Sequence, residues 1–291
     1  MCILPMSERR MVVFEVLLIL MVIASSCGLL GSILVVKNQS MLADALSHSV
    51  LLGIVLGFFI SHSLDSPLLI VGASLFGLLS VLAIDRLHSR KIAHDAATGL
   101  VFSFFFAVAV LLISLFARNV HLDVDLVLQG EVLFAPLHRM DVLAWSLPVS
   151  LVKSSLAWLV IVLFFAWAYH RLQVYLFDSN HARLSGLRTR ILEMVILILV
   201  SLTTVLAFEA IGSMTVIVFL VAPSMAALCW VKSFWQLLLL GQGIAILTVV
   251  LGFLVANQLD LTMSGTCAVV SLLVVCSSII LKNTWSRSSD K

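Results

Sequence analysis

The chain has 291 residues, of which 62% are hydrophobic and 11% are charged, and its formal net charge at pH 7 is +2. Ordinary soluble domains are about 45–50% apolar and about 25% charged, so this composition excludes that class and indicates an integral membrane protein. The near-neutral charge, with Lys and Arg dispersed in short clusters between apolar runs, also argues against nucleic-acid binding.

Nine apolar runs are long enough to cross about 30 Å of hydrocarbon, which takes around 20 helical residues. In chain order they are 12–36, 41–61, 67–84, 97–117, 148–170, 190–209, 212–231, 234–256 and 263–281. The first run is too long for the core of a signal peptide, so it is predicted to be a span. We therefore expect an all-α, polytopic transmembrane helical bundle of about eight or nine spans, forming one membrane domain over residues 1–291.

Lys and Arg collect in loop 85–96 and in segment 171–190, which two spans separate, so both can face the cytoplasm. The polar segment 119–147 then lies on the extracytoplasmic side, where it is too polar to span but can contain an interfacial or re-entrant piece. The short tail 283–291 is expected inside. The N-terminus falls outside, which requires either that its two arginines lie along the interface or that the first span is miscounted.

Asp44 and His48 lie near the start of the second predicted span. Their spacing places both side chains on one face of a helix, one turn apart, so they can share one ion. An oxygen and a nitrogen ligand suit manganese, iron or zinc, and the absence of nearby thiolates argues against copper(I). The alternative is structural, with Ser40 capping the helix, Asp44 near its positive N-terminal end, and His48 a hydrogen-bonded packing residue.

A second polar constellation lies on the predicted cytoplasmic face, in the segment at about 174–188. Asp178 or Ser179 can cap a short helix there, and Gly186 can end it. Such a helix between two spans is either a docking element for a soluble partner or an amphipathic interfacial turn. Elsewhere, Lys153 and Glu209 are expected to snorkel from helix ends.

The sequence contains no HExxH, GxSxG or GxxxxGK[ST] motif, so we expect no catalytic residues and no ATP hydrolysis by this chain. Its five cysteines show no CxxC spacing and are predicted to be small apolar core residues. The break at Ile211-Gly212-Ser213 predicts either a tight hairpin or an interruption in an irregular membrane helix.

Four blocks between about residues 30 and 230 resemble the membrane permeases of metal-ion importers of the ATP-binding cassette class. Residues 40–53 are similar to the family segment LMGDALSHAVLPG, and residues 177–187 are similar to FDEEFARALGL. Residues 212–227 are similar to VGxLLVxALLxxPAATA, and residues 94–103, more weakly, to EDTAIGIVFS. The chain departs from these patterns by Ala43 in place of Gly, Leu52 in place of Pro, and Ser179-Asn180 in place of two acidic residues.

This resemblance implies that Asp44 and His48 contact the ion in a translocation path. It also implies that a coupling helix docks on a separate ATPase subunit through Phe177, Asp178, His181, Ala182, Arg183 and Gly186. The implied cargo is a divalent ion of manganese, zinc or iron, with no permanently bound cofactor. Implied partners are the ATPase, an extracytoplasmic metal-binding protein, a second copy or a related permease, and the lipid of the cell inner membrane.

The same Asp44–His48 pair would also serve a secondary metal transporter or channel that works without an ATPase. The two hypotheses differ in whether uptake requires ATP or an ion gradient.

Overall fold

The helices follow the apolar runs of the sequence. A computed structural model of the chain describes residues 6–62, 66–89, 91–116, 139–142, 145–178, 182 and 184–289. Within these ranges the chain forms nine long helices and one β-hairpin. The helices are α1 Met6–Val36, α2 Met41–Ser61, α3 Pro67–Leu87, α4 His94–Phe116, α5 Val149–Phe177, α6 Thr189–Ile211, α7 Ser213–Leu228, α8 Phe234–Leu259 and α9 Met263–Ser289. The predicted all-α membrane bundle is confirmed.

Each of the nine predicted runs corresponds to one helix, although the helices differ in their capacity to span. Among the described residues, seven helices are long and apolar enough to cross a membrane, namely α1, α2, α4, α5, α6, α8 and α9. Helix α7 has 16 residues, or about 24 Å, which is shorter than the hydrocarbon thickness. Helix α9 continues to Ser289, so most of the predicted tail 283–291 is helical.

The polar segment 119–147 contributes the first strand and part of the second strand of a hairpin. Strands β1 Arg139–Val142 and β2 Trp145–Pro148 pair antiparallel, with Arg139 opposite Pro148. The apolar triplets expected to be interfacial or re-entrant, at 126–128 and 132–134, lie outside the described residues. Because Arg139 bonds to Glu15 of α1, the N-terminal half of α1 lies at the hairpin end of the bundle, as the predicted topology requires.

Helix α1 is the central helix of the bundle and packs against α5, α6, α7 and α8. Its side chains Ile19, Leu20 and Leu30 are fully buried. A Cβ atom at Gly31 would overlap the backbone carbonyl of Leu220 in α7. Glycine therefore allows these two helices to approach more closely than any other residue would.

Helices α2 and α3 also meet through glycine. A Cβ atom at Gly53 would collide with the backbone of Gly72, and one at Gly72 would collide with Gly53. Gly57, one turn after Gly53, lies against the backbone of Leu68 in the same way. This GxxxG face fixes the position of α2, which carries the two candidate metal ligands and also contacts α4, α6 and α7.

Two sequence expectations are refined at the hairpin end. Gly212, with a φ of 79°, is the single residue between α6 and α7, so the break is a sharp turn between two separate helices that contact each other. Lys153 and Glu209, which were expected to snorkel from helix ends, also contact each other, since Lys153 Nζ lies 2.9 and 3.1 Å from the two carboxylate oxygens of Glu209. This ion pair joins the start of α5 to the end of α6.

Candidate metal site

The carboxylate of Asp44 and the imidazole of His48 lie side by side on α2, as their spacing predicts. Asp44 is in the first turn of the helix, and its Oδ1 atom is 3.5 Å from His48 Nε2. In the single chain the side chains of Asp44 and His48 are 37% and 29% exposed. Both groups can therefore be reached by an ion from the same side of the helix.

Two aromatic side chains of α4 hold the imidazole in place. The ring of Phe102 stacks on His48 with centroids 5.5 Å apart, and Phe106 meets it edge-on at 5.1 Å. The two phenylalanines are four residues apart and so share one face of α4. This contact was not predicted, because phenylalanines at 102, 104, 105 and 106 cover several faces of α4 and none is singled out by spacing.

Of the structural alternative for this pair, the expected Ser40 cap is absent. Ser40 adopts helical dihedral angles and its side chain makes no capping hydrogen bond to α2. His48 Nδ1 is buried and, within the described part of the chain, has no hydrogen-bond partner. Asp44 does lie near the helix N-terminus, as that alternative expected. The other ring nitrogen of His48 faces the Asp44 carboxylate and the ring packs against two phenylalanines, so these contacts are compatible with a packing role of His48 as well as with a ligand role.

The separation of the two ligand atoms suits a divalent transition metal. Protein oxygen and nitrogen ligands lie about 2.0–2.2 Å from zinc, so two of them at a tetrahedral angle are about 3.4 Å apart. The observed 3.5 Å matches this value. Among the described residues there is no group of three or more His, Cys, Asp or Glu side chains that could hold a metal. An ion held by these two side chains alone would be bound weakly and would need further ligands from water or another molecule.

The predicted coupling segment begins where α5 ends. Phe177 is the last residue of α5 and Asp178 follows in extended conformation, with its carbonyl accepting a hydrogen bond from Ala182 N at 3.0 Å. The next turn is closed by Leu187 N, which donates to Ala182 O at 3.1 Å. Gly186, with a φ of 78°, ends this turn as predicted. The predicted coupling residues His181 and Arg183 lie outside the described residues.

This segment presents apolar side chains away from the bundle. Phe177 is 66% exposed and Leu184 is 87% exposed, whereas Ala182 is buried. Leu184 was not predicted to be a functional residue, because it lies in a polar segment without apolar periodicity. The structure thus brings Asp44 and His48 together, while the described residues of the segment 177–187 lie where α5 passes into α6.

Comparison with known proteins matches the chain to the ABC 3 transport family over residues 10–282. The chain belongs to this family. It is 37% identical to the zinc transport system membrane protein TroD of Treponema pallidum, over 88% of this chain and 70% of that protein. It is also 34% identical to the manganese transport system membrane protein MntD of Bacillus subtilis, over 88% of this chain and 87% of that protein.

The fold of this ABC 3 family chain is shared with PsaBC from Streptococcus pneumoniae, solved in complex with Fab. The TM-score is 0.75 at 22% identity, with 91% of this chain and 89% of that chain covered. The family match and the two relatives confirm the resemblance seen in the sequence blocks. The family and the apolar helices together make the chain a multi-pass protein of the inner membrane.

Proposed function

We propose that the chain is the permease subunit of an importer that moves a divalent transition metal ion across the inner membrane, driven by a separate ATPase subunit. The observation that carries the proposal is the Asp44–His48 pair, whose ligand atoms are 3.5 Å apart on one helix face. Relatives named for zinc and for manganese transport support a metal cargo. One carboxylate and one imidazole accept manganese, iron or zinc, so the choice among them is left to other parts of the system.

The weakness of a two-ligand site fits transport. An ion that exchanged all its water for protein ligands would be held too tightly to leave, whereas two ligands take it up and release it readily. The partial exposure of both side chains in the single chain leaves room for water or for a second permease, either a copy or a related chain, to complete the coordination. An extracytoplasmic binding protein would deliver the ion.

The segment 177–187 is proposed to receive the ATPase subunit. Its exposed Phe177 and Leu184 offer apolar contact area, and the buried Ala182 fixes the turn to the bundle. Asp178 and Gly186 lie at the two ends of this turn, which joins α5 to α6. Displacement of the segment by the ATPase subunit would therefore move both helices. Helix α6 contacts α2, which carries the metal ligands.

Uptake of radioactive manganese or zinc by cells tests the ligand assignment. Asp44→Asn keeps side-chain size but removes the charge of the carboxylate, and His48→Asn removes the imidazole, so each should lower uptake by about tenfold or more. His62→Asn, at the other end of α2, and Asp260→Asn, after α8, are matched controls. Both residues are exposed and have positive φ angles that Asn tolerates. Normal uptake by the Asp44 and His48 variants would remove the pair from the translocation path.

Reconstitution in liposomes distinguishes the importer from a secondary transporter or channel. The chain by itself should move no metal under an imposed ion gradient, and metal should accumulate when the ATPase subunit and ATP are added. Gradient-driven uptake by the purified chain alone would favour the secondary transporter instead.

A further inference from the structure

A groove of about 430 Å³ lies between the end of α5 and the start of α6. The residues at its polar end are Arg171, Arg188 and Thr189, and its apolar wall includes Phe164, Leu192 and Val195. Of the described residues that line the groove, two are arginines and none is acidic. The positive charge of this lining therefore favours an anion over a metal cation.

Further cationic and aromatic groups surround the polar end. The Cζ atom of Arg171 lies 4.4 Å from the centroid of the exposed Trp167 ring, and Lys37 Nζ lies 3.6 Å from the centroid of the Tyr175 ring. Both aromatic rings line the groove. In the part of the chain that the structure describes, no carboxylate is within ion-pair distance of Arg171 or Arg188. The two guanidinium groups are thus available to an external anion.

The polarity of the groove changes with depth in the membrane. Phe164 precedes Arg171 by seven residues in α5, and Val195 follows Arg188 by seven in α6. At 1.5 Å per residue, Phe164 and Val195 each lie about 10 Å from the arginine of the same helix, toward the middle of that helix. Trp167 and Arg171 lie in the last three turns of α5, which ends at Phe177, and tryptophan near a helix end is typical of the membrane–water boundary. The groove therefore has a charged opening at the boundary and an apolar interior within the hydrocarbon.

From this arrangement we infer that the groove binds an anionic phospholipid, with its phosphate between Arg171 and Arg188 and its acyl chains along Phe164 and Val195. Guanidinium groups bind phosphate through paired hydrogen bonds, and basic pockets between membrane helices are suited to anionic headgroups. A soluble phosphate would use the arginines but leave the apolar wall uncovered. The bound lipid would contact both α5 and α6, the two helices that the segment 177–187 connects.

Native mass spectrometry of the full-length chain in a zwitterionic detergent tests this inference. Equal amounts of phosphatidylglycerol and phosphatidylcholine are offered, and one phosphatidylglycerol should remain bound preferentially. Each arginine should contribute about fivefold to the preference. The double variant Arg171→Gln/Arg188→Gln should lose it. The matched control Arg190→Gln/Lys232→Gln removes two exposed charges outside the lining of the groove and should keep it.

Three results would overturn the inference. One is equal retention of the two lipids by the unaltered chain, which would mean that the groove holds lipid without regard to charge. Another is an unchanged preference in Arg171→Gln/Arg188→Gln, which would place the anion elsewhere. The last is full displacement of phosphatidylglycerol by an equal concentration of soluble glycerol phosphate, which would show that the apolar wall contributes nothing. The binding readout does not depend on metal transport.

Discussion

Arg139 of strand β1 donates hydrogen bonds from one guanidinium nitrogen to both carboxylate oxygens of Glu15 in α1, at 2.7 and 2.8 Å. The Glu15 side chain is 11% exposed, so its charge is largely removed from water. A buried charge is tolerated when it is paired and costly when its partner is removed. This pair therefore fastens the hairpin to the central helix of the bundle.

The variant Arg139→Ala should be destabilised by about 2–5 kcal/mol, because it leaves the Glu15 carboxylate buried without a partner. The double variant Glu15→Gln/Arg139→Ala should recover part of this loss, since the neutral amide is less costly to bury. Denaturant titration of the purified chain in mixed micelles measures both free energies of unfolding. If the double variant is less stable than the single variant, the buried charge is not the cause.

Removing the ring that holds the imidazole should weaken metal transport without removing a ligand. In Phe106→Ala the edge-on contact with His48 is lost, so the imidazole samples other rotamers and the apparent KM for metal uptake should rise by about tenfold. The control is Phe104→Ala, which removes an exposed ring from the same helix. An equal change in both variants would indicate a general effect on α4.

The contact between α2 and α3 should be sensitive to a single methyl group. Gly72→Ala places a Cβ atom against the backbone of Gly53, so the helices must separate, and stability should fall by about 1–3 kcal/mol. Gly243→Ala, in α8, introduces the same methyl group where no atom lies within 4 Å. That control should be neutral or stabilising by up to about 1 kcal/mol. Thermal unfolding of the two variants in one detergent provides the comparison.

Much of the fold could be predicted because hydrocarbon imposes a minimum length on apolar helices. The ends were harder to place, since helical hydrogen bonding continues past the membrane boundary, as in α1 from Met6 and α5 to Phe177. The Asp44–His48 contact followed from helical periodicity alone. The rings of Phe102 and Phe106 did not, because which face of α4 meets α2 depends on packing between distant segments.

The hydrogen bonds between polar residues of different spans could not be predicted from the sequence either. Ser25, Trp158 and Gln242 lie in three different apolar runs, and nothing local indicates that they meet. In the structure Ser25 Oγ donates to Gln242 Oε1 and accepts from Trp158 Nε1 at 2.8 Å, while Gln242 Nε2 donates to the Ser25 carbonyl at 3.1 Å. These bonds join α1, α5 and α8.

This network gives a final prediction, that Ser25 and Gln242 are energetically coupled. Ser25→Ala and Gln242→Leu should each cost about 0.5–2 kcal/mol, in the range of hydrogen bonds between membrane helices. The double variant should cost less than the sum, because either change alone breaks the hydrogen bond between the two side chains. The control Ser277→Ala removes an exposed hydroxyl that bonds within its own helix, to Val274 O, and should show no coupling with Gln242→Leu. Strict additivity for Ser25 and Gln242 would mean that the hydrogen bond between their side chains contributes no coupling energy between α1 and α8.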